Sequence, residues 1–159
     1  MTFQTIACCT DFSPNADVAI KKAVKLSEKF GATLDIIHVV PPPVNPVVTD
    51  FDNPIFGTLT FDEAADRNMV LKVEEKLQDH YGPKISAKID VNYVVLTGHI
   101  SSEVIDYLEE KKIDLVVLGS YGLSGMGLVL FGSVAKRVAH KASCSVMIAR
   151  SAELDKDDA

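Results

Sequence analysis

The sequence predicts an α/β fold, a parallel sheet with helices packed on both faces. Two observations carry this. Short β-branched runs alternate along the chain with segments of helical period, the pattern of βαβ units. Several of the runs, among them LDIIHVV at 34–40 and DLVVL at 114–118, are nearly or wholly apolar. Strands buried on two faces read that way, whereas half-exposed strands alternate. With 159 residues, 47% of them hydrophobic, the chain is long enough to bury a substantial core.

The first strand is expected at 3–10 (FQTIACCT). Ser13 then has the hydroxyl of an N-cap, and Pro14 suits the first helical position. Ala16, Ala19, Ile20, Ala23, Val24 and Leu26 keep near-helical spacing to Phe30, and Gly31 ends the helix. The second strand follows at 34–40. Residues 41–60 hold five of the seven prolines and two charges, which predicts a long loop. Its Val44, Val47, Val48, Phe51, Ile55 and Phe56 are too apolar for a free linker and are expected to pack over a pocket or a partner subunit. A charged helix is expected from Phe61 to Tyr81, with Met69, Val70, Val73 and Leu77 inward and Gly82-Pro83 as its stop. The third strand is read at 88–96. Gly98 turns the chain, and Ser101 or Ser102 is expected to cap a short helix carrying Val104, Ile105 and Leu108. The fourth strand at 114–118 leads into a glycine-rich stretch, 119–132. A helix at about 133–142 and a strand at 145–149 complete a single domain spanning 1–150. An acidic tail, 151–159, is expected to be mobile.

Charge and composition narrow the function. A net charge of −6 disfavours binding to nucleic acid or an anionic membrane surface. No run is long enough to insert in a membrane, and the N-terminus lacks a signal-peptide pattern. Three cysteines, two of them adjacent (Cys8, Cys9), read as reduced thiols in a cytoplasmic protein. Cys8 and Cys9 are expected on opposite faces of one strand, in ordinary packing. His38 is read as a core histidine, and His99 as a candidate near the ligand end. His140 and Cys144 share an i, i+4 spacing but lie at the wrong end of a strand for a site. No His/Cys spacing suggests zinc.

The strongest signal is LGSYGLSGMGLVLFGSV at 118–134. It follows an apolar strand, holds Gly119, Gly122, Gly125, Gly127 and Gly132, and opens a helix at Ser133. Such a stretch lets backbone N–H groups approach an anion, and the helix N-terminus adds free donors and a positive dipole end. A plain glycine-rich connection is the competing reading. The P-loop pattern and a glycine fingerprint after the first strand are both absent.

The spacing Gly119-x2-Gly122-x9-Gly132-Ser133 resembles the G-x2-G-x9-G-[ST] motif of nucleotide-binding universal stress proteins. Thr10-Asp11-Phe12-Ser13, Ile37-His38-Val39-Val40 and Cys144-Ser145-Val146-Met147-Ile148 are similar to further landmarks of that family, over about residues 4–150. The resemblance implies a Rossmann-like sheet of order 3-2-1-4-5, of the adenine nucleotide alpha hydrolase-like type. It implies ATP, or AMP or ADP, between strands 1 and 4, with or without Mg²⁺ or Mn²⁺. Thr10 and Asp11 would stand in the first-strand turn, with Asp11 at the ribose or phosphates. Val39 would hold adenine by its backbone, and Leu118 would line the base pocket. Gly119, Gly122, Gly132, Ser133 and the Val134 amide would serve ribose and phosphates. The resemblance also implies a homodimer paired through Val146, Met147, Ile148 and Ala149. Two departures stand out: Cys9 occupies a position where proline is frequent, and the spacer LSGMGLVLF carries no Lys or Arg. Three functions follow: a nucleotide-binding regulatory module in stress response, a slow ATPase on the same pocket, or an interaction protein without nucleotide.

Overall fold

The computed structural model describes residues 2–41, 63–120 and 132–150. The loop beyond Pro41, Gly122 with the rest of 121–131, and the acidic tail lie outside the described residues. The element order is β1 (Thr5–Cys9), α1 (Pro14–Phe30), β2 (Thr33–Val40), α2 (Glu63–Tyr81), β3 (Val91–Thr97), α3 (Ile100–Glu110), β4 (Leu115–Gly119), α4 (Ser133–Lys141) and β5 (Ser145–Ala149). A short 3-10 turn, Gly82–Lys84, follows α2. The five strands are parallel in the order β3-β2-β1-β4-β5, as expected.

Strand alternation divides the core. Ile6, Cys8, Leu34, Ile36, Leu115 and Val117 face Ala19, Ile20, Ala23 and Val24 of α1 and Leu77 and Tyr81 of α2. Ala7, Ile37, Val39, Val116 and Leu118 face Val104 and Leu108 of α3 and Ala135 and Val138 of α4. Cys8 belongs to the first layer and Cys9 packs on the second, so the adjacent thiols do point to opposite faces. Burial in this way removes apolar area from water at about 25 cal/mol per Å², the main driving force of the fold.

Local chemistry fixes the ends of α1. The Ser13 hydroxyl accepts from the Ala16 N–H at 3.2 Å, with Pro14 in the first turn. Gly31 adopts φ 66° and its N–H donates to the Ser27 carbonyl, closing the helix in the left-handed conformation that glycine tolerates best.

Three boundaries differ from the sequence reading. Strand β1 spans Thr5–Cys9 only; Phe3 instead meets Phe30 edge-on, with ring centroids 5.3 Å apart. Strand β3 starts at Val91, because the Ile89 N–H donates to the Ser86 carbonyl and makes 86–89 a turn. Helix α3 is capped by neither Ser101 nor Ser102. His99 is the N-cap, its carbonyl accepting from the Ser102 and Glu103 N–H groups, and Ser101 lies buried in the first turn.

Candidate functional site

Strand order reverses between β1 and β4, so the carboxyl ends of these strands open a crevice, the usual ligand position in open α/β sheets. Four pieces of chain converge there.

The first is the turn after β1. Asp11 Oδ1 accepts from the Ser13 N–H at 3.0 Å, an Asx turn that precedes the helix cap. Phe12 adopts φ 63°, unusual for a bulky residue. It is held there by aromatic contacts, stacking on Tyr81 at 6.0 Å and lying 5.1 Å from the His38 ring, with the Lys76 ammonium 4.1 Å above its own ring. Thr10 is spent on the same turn. Its Oγ1 accepts from the Phe12 N–H at 2.9 Å and lies 2.5 Å from the Tyr81 hydroxyl. Tyr81 donates its own hydrogen to Asp17 Oδ1 at 3.1 Å, which leaves Thr10 as donor to Tyr81. Burial, above all, pushes the Tyr81 phenol well above its ordinary pKa, so it stays neutral and keeps that hydrogen. The Thr10 carbonyl accepts from His38 Nδ1 at 2.8 Å, which satisfies His38 as a core residue. Among the described residues, Asp17 also meets His80 Nε2 at 3.4 Å and the Lys84 ammonium at 3.7 Å.

The second is the end of β2. The Thr10 N–H donates to the Ile37 carbonyl, toward β1, and the Gly98 N–H donates to the Val40 carbonyl, toward β3. Alternation therefore aims the Val39 N–H and carbonyl toward the β1 side, beyond the last bond that β1 makes. That is the place where the edge of a planar base would find a backbone donor and acceptor.

The third is the end of β4. Leu118 is buried on the α3/α4 face. The next residue, Gly119, faces α1, and a β-carbon there would stand 3.0 Å from both the carbonyl carbon and the oxygen of Asn15. Glycine at 119 thus suits the close approach of α1, which would have to give by a few tenths of an ångström for a larger residue, a packing reason distinct from any ligand. Ser120 follows; its N–H donates to the Ala149 carbonyl and its carbonyl accepts from the Gly132 N–H at 2.7 Å.

The fourth is the start of α4. Gly132 is the N-cap with φ −63° and ψ 154°, and no side chain bonds to the cap. The geometry is one that any residue adopts, so Gly132 is not needed for its backbone angles. A glycine N-cap leaves the first-turn amides, those of Ser133 and Val134 among them, without a side-chain acceptor. No acidic residue stands in that turn, and Lys136 and Arg137 are exposed behind it.

Sequence reasoning missed Asn15 and Ser120. The Asn15 Oδ1 and the Ser120 hydroxyl are buried without a hydrogen-bond partner among the described residues, which is uncommon and costly in a finished interior. Both adjoin Gly119, one across α1 and one along the chain. A polar residue directly beyond an apolar strand was the only signal for Ser120, and Asn15 carried none. His99 is exposed beside α3, its Nδ1 3.3 Å from both the Ser101 and Ser102 hydroxyls. Cys144 lies before β5, at the opposite end of the sheet from the crevice. No group of three His, Cys, Asp or Glu residues suited to a metal occurs among the described residues. Nor is any helix among them long and apolar enough to cross a membrane.

Comparison with known proteins agrees with this architecture. The profile of the universal stress protein family matches residues 2–150. The universal stress protein MJ0531 of Methanocaldococcus jannaschii is 30% identical over 151 residues, covering 93% of this chain and 82% of its own. Among solved structures, universal stress protein UspA from Lactobacillus plantarum superposes with a TM-score of 0.71 at 21% identity, over 94% of this chain and 99% of that one. A universal stress protein in complex with cAMP superposes at 0.65 and 20% identity, over 96% and 100%. At such identities the structural likeness speaks for the fold.

Proposed function

The chain belongs to the universal stress protein family, and from that premise we propose that it is a binding module for an adenine nucleotide, ATP foremost, whose occupancy is its signal in stress response. The observation that carries this reading is the pair of buried atoms without a partner among the described residues, Asn15 Oδ1 and Ser120 Oγ, together with a helix N-terminus that no side chain caps. Residues of this kind fit a ligand with an anionic end and its own donors: the helix end favours negative charge, the Ser120 hydroxyl can donate to it, and Asn15 Oδ1 can accept from a hydroxyl or amino group of the ligand. The Val39 backbone would hold the adenine, and Leu118 would line its pocket. Asp11 would meet the ribose or phosphates. Ser133 and the Val134 amide would take the phosphates together with Gly122 and Gly132. Thr10 would act from behind, by setting the turn that carries Asp11.

Binding is favoured over turnover. Phosphoryl transfer depends on positioned positive charge, and residues 123–131 carry no Lys or Arg. Location in the cytoplasm and pairing of two copies through Val146, Met147, Ile148 and Ala149 complete the proposal. The edge position of β5 supports the pairing, since among the described strands it bonds only to β4. The reading is tested by isothermal titration of ligand-stripped protein with ATP and Mg²⁺. Saturable heat is expected; no heat, and no competition by AMP or ADP in a displacement format, overturns it.

A further inference from the structure

The turn that carries Asp11 is tied shut by a residue of a distant helix. A circuit of hydrogen bonds runs around it. The Ser13 N–H donates to Asp11 Oδ1 and the Asp17 N–H to the Ser13 carbonyl, each at 3.0 Å. The Tyr81 hydroxyl donates to Asp17 Oδ1 at 3.1 Å and accepts from the Thr10 hydroxyl, whose oxygen accepts from the Phe12 N–H at 2.9 Å. Of these residues Tyr81 alone comes from α2; the others lie within Thr10–Asp17. Tyr81 and Thr10 are both buried, so the bond between them is shielded from water.

The backbone inside the circuit needs that support. Phe12 stands at φ 63°, where a bulky side chain is strained, and such a conformation persists only where its surroundings over-determine it. Helix α2 supplies three of the contacts: Tyr81 stacks on the Phe12 ring, His80 meets it edge-on with centroids 5.7 Å apart, and the Lys76 ammonium lies over it. Strain of this kind gathers at ligand sites, and here it adjoins Asp11. We infer that Tyr81 is a positioning residue of the nucleotide site: its hydroxyl, by joining Thr10 to Asp17, holds the turn that aims the Asp11 carboxylate at the ligand. This role rests on the nucleotide-binding reading above. Tyr81 acts through Asp11 and touches no ligand itself.

Tyr81→Phe keeps the aromatic rings in contact and removes the hydroxyl from the circuit, while Asp17 retains His80 and Lys84. Calorimetry with ATP and Mg²⁺ on the full, ligand-stripped chain should show Kd raised about three- to tenfold, as for one lost hydrogen bond. In an Asp11→Ala background the same substitution should change Kd by less than about twofold, because the residue through which it acts is gone. Thr10→Val breaks the circuit on the other side. It should weaken binding as Tyr81→Phe does and add little to it in the double variant, whereas Thr10→Ser, which keeps the hydroxyl, should bind as wild type does. Without nucleotide, amide exchange at Phe12 and Ser13 should quicken in Tyr81→Phe about tenfold more than at Val116 and Val117, buried in β4. Wild-type affinity in Tyr81→Phe, an equal loss with and without Asp11, or unchanged exchange at Phe12 and Ser13 overturns the inference. If Tyr81→Phe does not fold, wild-type affinity in Thr10→Val overturns it instead. Wild-type protein that binds no ATP defeats the nucleotide reading and this role with it; failure of Tyr81 alone is told apart, since wild type then binds and the variants bind equally.

Discussion

Gly119 and Asn15 meet backbone to backbone: a β-carbon on Gly119 would lie 3.0 Å from the Asn15 carbonyl carbon and oxygen. The first glycine of the glycine-rich stretch is thus the seat on which the first turn of α1 rests. Gly119→Ala should push α1 away from β4 and cost about 1–3 kcal/mol, the ordinary range for overpacking. Urea denaturation measures it; a variant as stable as wild type would show that the helix yields freely.

Gly132 offers a test in which two readouts move apart. Its φ and ψ suit any residue, and it caps α4 without a side chain. Gly132→Asp should cap the first-turn amides, leaving stability unchanged or higher by about 0.5 kcal/mol. The same carboxylate should repel phosphate and lower ATP affinity at least tenfold. If affinity holds while stability rises, the phosphates do not bind at that helix end.

Ser133→Ala should weaken ATP binding by about 0.5–1.5 kcal/mol if one neutral hydrogen bond is lost, and by more if the hydroxyl meets a charged oxygen. Calorimetry at fixed ionic strength reads the difference. Ser133 is exposed, so the fold should not register the change.

Asp114 provides a pH signature. Backbone N–H groups of Gln4 and then Thr5 donate to its Oδ2 at 2.7 and 3.0 Å and hold its carboxyl below the usual range. A depressed folded pKa adds stability that is fully present above the unfolded value of about 4 and is lost as pH falls through the folded one. Asp114→Asn should therefore cost about 1 kcal/mol near neutrality, after screening at this solvent-facing position, and progressively less in acid. Parallel denaturation curves across that range check the sign; a cost independent of pH contradicts it.

The thiols should be quiet. Burial pushes Cys9 up to about 12, Cys8 well above its ordinary value, and Cys144 upward as well. The thiolate is the reactive form, so a disulfide reagent at mildly alkaline pH should modify the native protein far more slowly than the unfolded chain. Rapid native modification of Cys8 or Cys9, mapped by mass spectrometry, would show an opened β1.

Much of this protein was legible in its residues alone. Apolar runs and helical periods announced five strands and four helices, because those patterns are local consequences of burial on one face or two. Ser13, Pro14 and Gly31 marked the ends of α1 through side chains that act within one turn. Strand order 3-2-1-4-5 came with the family resemblance rather than from periodicity. What the tertiary structure decided is what each residue meets across elements. The Thr10 hydroxyl meets that of Tyr81, seventy-one positions away, and Gly119 is approached by the Asn15 backbone. Ser101 and Ser102 looked like caps, yet the His99 carbonyl closes that turn. Asn15 and Ser120 could not be singled out at all, since an unpartnered polar atom is defined by what fails to come near it. Spacing along a chain reports neighbours within a turn or a strand; the partners of a buried hydroxyl or the clearance above a glycine are set only when distant segments pack.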